Sequence, residues 1–265
     1  MYKNQLKTID TEDKAYLLGL FYSDGCVCNT NNNCSIVLHN NDLNLLKILN
    51  KKFKFFKLRS SHKNATKLDC TSKELKKDLI SNGVYPIKSS LNKDKIVIPN
   101  IHSSLISHFI RGFFDGDGSV YKQKLFNIKV ELGCTSYGFI TQLLKILYNN
   151  NINFNIQCSF KGTGLRTMDY YKIYCSSYKQ SKKFADFIYK DATIFMKRKY
   201  DLLNTEIFYD KKERLQCLNC DSFNTIFMGI RNNKTRLYCK DCNTRCTTSA
   251  PVISNINSGE VQITN

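Results

Sequence analysis

Residues 16–25 read Tyr-Leu-Leu-Gly-Leu-Phe-Tyr-Ser-Asp-Gly, and residues 109–118 read Phe-Ile-Arg-Gly-Phe-Phe-Asp-Gly-Asp-Gly. Both follow one template: apolar residues at helical density, a glycine, two more apolar residues, and Asp-Gly a little further on. Asp24 and Asp117 hold equivalent places 93 residues apart, so the chain reads as an internal duplication. A glycine inside an apolar helix costs roughly 1 kcal/mol relative to alanine. The compensation expected for Gly19 and Gly112 is close contact between the two helices, because a missing side chain lets two backbones approach. Each helix is expected to stop at its Asp-Gly, with Gly25 and Gly118 in the left-handed conformation of a helix end.

The surroundings repeat as well. Thr11, Glu12 and Asp13 make a capped, acidic helix start, and Ser103 or Ser104 is placed to cap the second helix. After each Asp-Gly come two short alternating segments, 26–28 and 35–38, then 119–122 and 127–132. A helix follows each pair: 42–53 with Leu43, Leu46 and Leu49 in phase, and 137–148 with Ile140, Leu143 and Leu147. Two more strands and a helix complete each unit. Residues 152–161 form one of these strands, with Ile152, Phe154, Ile156, Cys158 and Phe160 on one face and Asn153, Asn155, Gln157, Ser159 and Lys161 on the other. In the first unit Phe56 and Leu58 alternate with Lys57 and Arg59. The expected fold is α+β, an αββαββα unit made twice, with helices on one sheet face and the other face open. Its divisions are a first repeat over 1–100, a second over 101–204, a cysteine-bearing segment over 205–250 and a tail over 251–265.

Charge says what the open faces meet. The chain has 40 basic and 22 acidic residues, a net +18; residues 201–265 hold 8 and 7 of them, so residues 1–200 carry +17. That balance favours a polyanion and argues against an acidic-protein binder or a neutral-metabolite enzyme. An open sheet face of amides, hydroxyls and lysines can read base edges in a major groove. Lys57, Arg59, Asn153, Asn155, Gln157, Ser159 and Lys161 are therefore the candidate contacts to double-stranded DNA. The longest apolar stretch, 15–22, is far short of the roughly 20 residues of a membrane span. Residues 1–14 lack the apolar core of a secretory signal, so an intracellular, reducing location is expected for the twelve cysteines.

Helix pairing would bring Asp24 and Asp117 together at two helix C-termini, where the dipole already disfavours negative charge. Two carboxylates about 5 Å apart at an effective dielectric of about 20 repel by roughly 3 kcal/mol. Bound divalent cations reverse that sign, and carboxylates bridging hard metals activate water in many nucleases. These two segments resemble the paired signature helices of the LAGLIDADG homing endonucleases. The similarity extends over about residues 10–203, including the runs at 85–89, 187–192 and 198–200. The resemblance implies a pseudo-twofold monomer with two saddle-shaped antiparallel sheets along a long DNA site. It also implies magnesium-dependent cleavage of both strands, as in intron or mobile-element homing. By position Asp24 and Asp117 match the family's metal-binding aspartates, and the Ser23 and Gly116 carbonyls its auxiliary ligands. Lys88 and Lys199 match basic residues that order water or the scissile phosphate. Tyr22 departs from an acidic position that Asp115 keeps, and Asn40 and Asn41 are available to position water.

Beyond residue 203 the spacing Cys217-x2-Cys220, 18 residues, Cys239-x2-Cys242 fits a tetrahedral four-thiolate zinc site, with Cys246 a possible substitute ligand. Residues 215–248 resemble the zinc ribbons of some insertion-sequence transposases. That resemblance implies auxiliary DNA binding, with Arg231, Lys234, Arg236, Lys240 and Arg245 as phosphate contacts and protein docking as the alternative. The rival to a nuclease is a non-catalytic nucleic-acid binder on the same fold, an intron maturase or a transcription regulator. Retention of both aspartates favours the nuclease. An intein fragment is disfavoured because Met1 and the ending Ile263-Thr264-Asn265 lack the splicing residues. A zinc enzyme is disfavoured because four thiolates close the coordination shell.

Overall fold

The first signature segment forms helix α1 (Glu12–Ser23), in which every residue from Ala15 to Ser23 is buried. A helix apolar on all sides has to be enclosed by protein. Thr11 caps it, its hydroxyl accepting the Lys14 N–H at 3.4 Å. The second forms α4 (Ile106–Asp117), buried from His108 to Asp115. Neither Ser103 nor Ser104 caps it. A 3-10 turn, Ser103–Leu105, leads into α4, and His102 caps that turn by accepting the Ser104 N–H at 3.3 Å. The imidazole acceptor does there what an Asx side chain does elsewhere.

The computed structural model describes residues 5–88, 92–122, 128–160, 168–204, 216–222, 224–232 and 234–249. The chain divides into two units, 1–205 and 206–265. In the first, α1 and α4 meet backbone to backbone. A methyl group on Gly19 would fall inside the Phe109 carbonyl and the Phe113 N–H; one on Gly112 would fall inside the Tyr16 carbonyl and the Leu20 N–H. The reciprocity is that of a twofold-related pair. Around the crossing the two halves differ: the Tyr16 hydroxyl donates to Asp115 Oδ2 at 2.7 Å, while the equivalent pair, Phe109 and Tyr22, makes an edge contact with ring centroids 4.9 Å apart.

The first Asp-Gly leads straight into β1 (Gly25–Val27), followed by β2 (Asn33–His39), α2 (Leu43–Lys52), β3 (Lys57–Ser60), β4 (Ala65–Thr71) and α3 (Lys73–Ser81). The second leads into β5 (Ser119–Lys122), β6 (Ile128–Cys134), α5 (Tyr137–Asn149), β7 (Asn155–Phe160), β8 (Tyr170–Cys175) and α6 (Tyr178–Tyr189), with α7 (Lys197–Leu203) beyond. The sheets have matching antiparallel orders, β1-β2-β4-β3 and β5-β6-β8-β7. Cys34, Ile36, Leu38, Leu68 and Cys70 face the first core; Val130, Leu132, Ile173 and Cys175 face the second. This is the α+β, twice-made αββαββα architecture.

The glycines after the aspartates are not left-handed. Gly118 is extended (φ −76°, ψ 153°), and the positive-φ glycine among the described residues is Gly83. What position 25 requires is room: a methyl group there would strike the backbone of Phe21, because the chain turns from helix to strand within one residue. The strand expected over 152–161 also starts later. Ile152 and Phe154 are buried in the segment leading to β7, and Asn153 lies between them with its N–H bound to Gln180 Oε1 at 2.8 Å. Ile156 is 39% exposed and Cys158 is exposed, because β7 is an edge strand that the helices do not cover. Lys161 lies outside the described residues. No helix among the described residues is long and apolar enough to cross a membrane.

The helix crossing is testable. Gly19→Ala and Gly112→Ala should each destabilise the chain by at least about 2 kcal/mol, because each methyl group meets backbone that cannot repack. Gly138→Ala, at an exposed position of α5 with open space around it, should instead stabilise by up to about 0.5–1 kcal/mol. Urea unfolding reads both; equal, small effects at all three glycines would refute the tight crossing.

Candidate active site

The helix pairing delivers Asp24 and Asp117 to one place. A methyl group on Gly116 would sit 2.8 Å from Asp24 Oδ2, so the end of α4 lies against the Asp24 carboxylate. Burial raises the Asp24 pKa, against the pull of Lys199 and Lys88. Asp117 opens to solvent on one side, yet the surrounding protein, and then the Asp24 charge, push its pKa up to about 6. Two partly desolvated carboxylates repelling each other are the arrangement that a divalent cation relieves.

Each aspartate has a lysine from its own repeat. Lys88 Nζ donates to the carbonyls of Phe21, Ser23 and Gly25 at 2.7, 2.5 and 2.7 Å. Lys199 Nζ donates to those of Phe114, Asp115 and Gly118 at 2.7, 2.7 and 2.6 Å, with the Gly116 carbonyl at 3.3 Å. Three acceptors correspond across the duplication, Phe21, Ser23 and Gly25 with Phe114, Gly116 and Gly118, and Lys199 adds the Asp115 carbonyl. Each ammonium therefore neutralises the negative end of its signature helix, where the last carbonyls have no helical partner. Burial lowers both pKa values to about 8. All three protons of each ammonium are occupied, so ordering a water or a phosphate would mean releasing a carbonyl. The sequence did not anticipate this helix-capping duty. It also gives the Ser23 and Gly116 carbonyls, matched to metal ligands by position, lysine partners.

The segments that carry the lysines are themselves pinned by one helix position in each repeat. Tyr22 donates its hydroxyl to the Asn82 and Val97 carbonyls, at 2.8 and 3.1 Å, on either side of Lys88. Asp115, its equivalent, accepts the Met196 N–H at 2.7 Å just before Lys199. Asp115 is fully buried, which lifts its pKa to about 6 even though it accepts from Tyr16. Buried Arg111 binds the Ile188 and Ile194 carbonyls and Glu12 Oε1, at 2.7, 2.8 and 2.6 Å, tying α1 to the same segment. Asp42 and Arg198, which the sequence reading passed over, pair at 2.9 Å near Asp24 and join the first repeat to α7. Asn40 is committed to the Thr66 hydroxyl at 2.7 Å; Asn41 is exposed.

On the sheets, Lys57 and Arg59 stand exposed on β3 beside Asp69 and Lys67 of β4, with Arg59 Nε 3.2 Å from Asp69. Asn155 and Gln157 face the same way as Tyr174 and Lys172 on β8, and Ser159 lies at the register shift of β7. Asn153 is exposed and precedes β7, outside the register pairs of that strand.

In the second unit Cys217, Cys220, Cys239 and Cys242 bring their sulfurs within 4.8 Å of one another. The pairs Cys217–Cys242 and Cys220–Cys239 are both 3.6 Å apart, close to the about 3.8 Å between thiolates on a tetrahedral zinc at about 2.3 Å per bond. Two like turns build the site. The N–H groups of Cys217 and Cys239 bind the carbonyls of Ser222 and Thr244, and Asp221 and Asn243 take positive φ one residue past each second cysteine. Asp and Asn tolerate that conformation. Cys246 sits in β11 (Arg245–Ser249) opposite Leu237 and outside the cluster.

The model of the LAGLIDADG-like domain family matches residues 11–67 and 104–188, more than half of the chain. Among solved structures the chain is similar to the I-SmaMI LAGLIDADG homing endonuclease bound to cleaved DNA, with 14% identity and TM-score 0.49 over 74% of this chain and 87% of that one. It is similar to the LAGLIDADG meganuclease I-AabMI bound to uncleaved DNA, with 19% identity and TM-score 0.44 over 71% and 86%. It is also similar to I-DmoI in complex with DNA and Ca, with 16% identity and TM-score 0.45 over 67% and 88%. No curated protein matches.

The carboxylate pair predicts a pH-dependent cation effect. Magnesium or calcium should raise the thermal midpoint at pH 7.5. With Asp117 raised to about 6, the effect should shrink as the pH falls through 6, because protonation removes the ligand. Differential scanning calorimetry reads it. A shift that is unchanged at pH 5, or that persists in Asp24→Asn/Asp117→Asn, would refute the cation site.

Proposed function

The chain belongs to the LAGLIDADG-like domain family, and from there we propose that it is a site-specific endonuclease making a double-strand break in DNA by metal-dependent hydrolysis. The observation that carries this is the convergence, at one end of the α1–α4 pair, of two carboxylates from distant parts of the sequence, with a lysine capping the end of each helix. A turn or a cap needs one such group. A pair of like charges, both with raised pKa, has no structural benefit of its own.

Asp24 and Asp117 would hold Mg2+, which when bound supplies water activation and charge neutralisation at the phosphate. Asp24 and Asp117 keep the open side of the site anionic until it is loaded. Lys88 and Lys199 fix the helix ends that carry the carboxylates. A phosphate brought to the site would compete with the carbonyls for their protons. Lys57 and Arg59 on the first sheet, and Asn155, Gln157 and Ser159 on the second, would meet the duplex on either side of the cut. Asn153, exposed just ahead of β7, would join them. The +17 charge of residues 1–200 supports that surface. Repeats over 1–100 and 101–204 would each read half a site, so the chain would act as a monomer. The segment 205–250 would bind structural Zn2+ through Cys217, Cys220, Cys239 and Cys242.

Asp24→Asn and Asp117→Asn should each reduce double-strand cleavage by at least about 100-fold while leaving duplex affinity within a few-fold. The assay is magnesium-dependent cleavage of a target recovered by selecting cut sequences from a randomised duplex library. Undiminished cutting by both variants would sink the assignment. Cys220→Ser should lose one zinc per chain and the protease resistance of residues 216–249, while the repeat unit keeps its thermal midpoint. Full zinc retention in that variant would remove the four-thiolate site.

A further inference from the structure

Asp117 has a neighbour that Asp24 lacks. On β8, Tyr170, Lys172 and Tyr174 alternate with Tyr171, Ile173 and Cys175. Ile173 and Cys175 are buried, and the Tyr171 ring lies 5.0 Å from that of Tyr137 on α5, so this second set faces the helices. The first set stands on the open face, where Lys172 reaches Glu131 at 3.0 Å and lies opposite Gly133 of β6. The Tyr170 ring leans across the strands over Gly133. A methyl group on Gly133 would meet the Tyr170 hydroxyl oxygen at 2.6 Å and the adjoining ring carbons at 2.7 and 2.8 Å. The missing side chain is what admits the phenol.

The strand register brings this hydroxyl to the carboxylate site. Ser119 pairs with Glu131; Asp117 comes two residues before Ser119 and Gly133 two residues after Glu131, so the antiparallel run sets the end of α4 beside Gly133. Electrostatics places Asp117 in the same spot. Burial first, and then the Asp117 charge, push the Tyr170 phenol up to about 12, and that charge also raises the thiol of Cys134, next to Gly133. At neutral pH Tyr170 is thus a protonated, half-buried donor.

The first repeat is built differently at this point. The β2–β4 register pairs Val37 with Lys67, so Val37 stands where Gly133 does, and Ala65, two residues before Lys67, stands where Tyr170 does. A valine fills the gap, and alanine has no hydroxyl. Asp24 has the Asp42–Arg198 pair near it instead.

We infer that Tyr170 is a substrate contact of the proposed endonuclease, its hydroxyl donating a hydrogen bond to the phosphate of one DNA strand, and only one, at the cut. The inference rests on the proposed function and adds a residue that the sequence reading did not select. A donor fixed before the substrate arrives gains strength as negative charge builds on the phosphate oxygens. It also gives the phosphate an attractive partner beside a carboxylate that repels it. Because the first repeat has no counterpart, the two strands depend differently on this hydroxyl.

The experiment uses the full chain and the selected target, each strand carrying its own fluorophore. Single-turnover cleavage with magnesium at saturating enzyme gives one rate per strand. Tyr170→Phe should slow one strand by about 10-fold or more and leave the other within about 3-fold, so that nicked duplex accumulates. Gly133→Ala, which pushes the hydroxyl aside without removing it, should slow the same strand, and the double variant should be no slower than Tyr170→Phe alone. Tyr171→Phe, which loses a hydroxyl on the opposite sheet face, is the control and should cut both strands at wild-type rates. The thermal midpoint of Tyr170→Phe, with and without magnesium, and its duplex affinity should match wild type, which separates a substrate contact from a structural role. Wild-type rates in Tyr170→Phe, equal slowing of both strands, or a lowered midpoint in that variant would each overturn the inference while the endonuclease reading stands. A wild-type protein that cuts neither strand would remove both.

Discussion

Two helix backbones in contact set the rest of this structure. Gly19 and Gly112 leave no side chain between α1 and α4, and each helix presses the other's carbonyls and N–H groups at the crossing. From that single approach the placement of the aspartates follows. Both helices end a similar distance past their glycines, Asp24 and Asp117 being five residues beyond, so carboxylates 93 residues apart in sequence arrive side by side. Both sheets then start directly from the helix ends, with no loop to absorb error: β1 begins at Gly25 and β5 at Ser119. A shift of the crossing by one turn would move the carboxylates and both sheets together.

Placing negative groups at two helix C-termini is unfavourable, and the chain offsets it with two ammonium groups set against those termini, half-buried Lys88 and buried Lys199. Lys88 and Lys199 saturate the terminal carbonyls, which lets the helices stop abruptly without a left-handed glycine. The same lysines lie close enough to both aspartates to oppose the rise in their pKa. Structural capping and electrostatic tuning of the site are thus one interaction. This is why Lys199 is also among the most enclosed charges of the fold.

Much of this was legible because duplication amplifies weak signals. One Asp-Gly after one apolar run says little, whereas two with matching glycines specify helix pairing and the carboxylate pair. The strands at 26–28 and 119–122, and the helices after them, followed from alternation and 3.6-residue spacing. The cysteine cluster followed from its spacing alone. The sequence was silent on what depends on partners distant in the chain. Helix capping by Lys88 and Lys199 runs through side-chain-to-carbonyl bonds that leave no local pattern. His102 as a cap breaks the usual serine preference, and the Asp42–Arg198 pair joins residues 156 apart. The strand at 152–161 misled because alternation cannot tell an edge strand from a covered one. The apolar positions Ile152 and Phe154 belong to the core, while Ile156 and Cys158, in the same phase, lie beyond the covering helices.

The duplication is symmetric in backbone and asymmetric in chemistry, and Tyr22 and Asp115 show how the two are reconciled. These equivalent residues perform one task, anchoring the segment that carries the repeat's lysine. They do so with opposite hydrogen-bonding polarity: Tyr22 donates to two carbonyls, while Asp115 accepts an N–H. The partner across the crossing is matched to each. Tyr16 supplies Asp115 with a donor, and Phe109, which has no hydroxyl to leave unsatisfied, packs its ring edge against Tyr22. Exchanging only one member of either pair would bury a polar group without its partner, at a cost of about 1–3 kcal/mol. The departure of Tyr22 from the acidic position of the second repeat is therefore not a lost functional residue. It is one half of a compensated change: the lysine-bearing segment offers carbonyls where its counterpart offers an N–H, and the helix residue beneath it must donate.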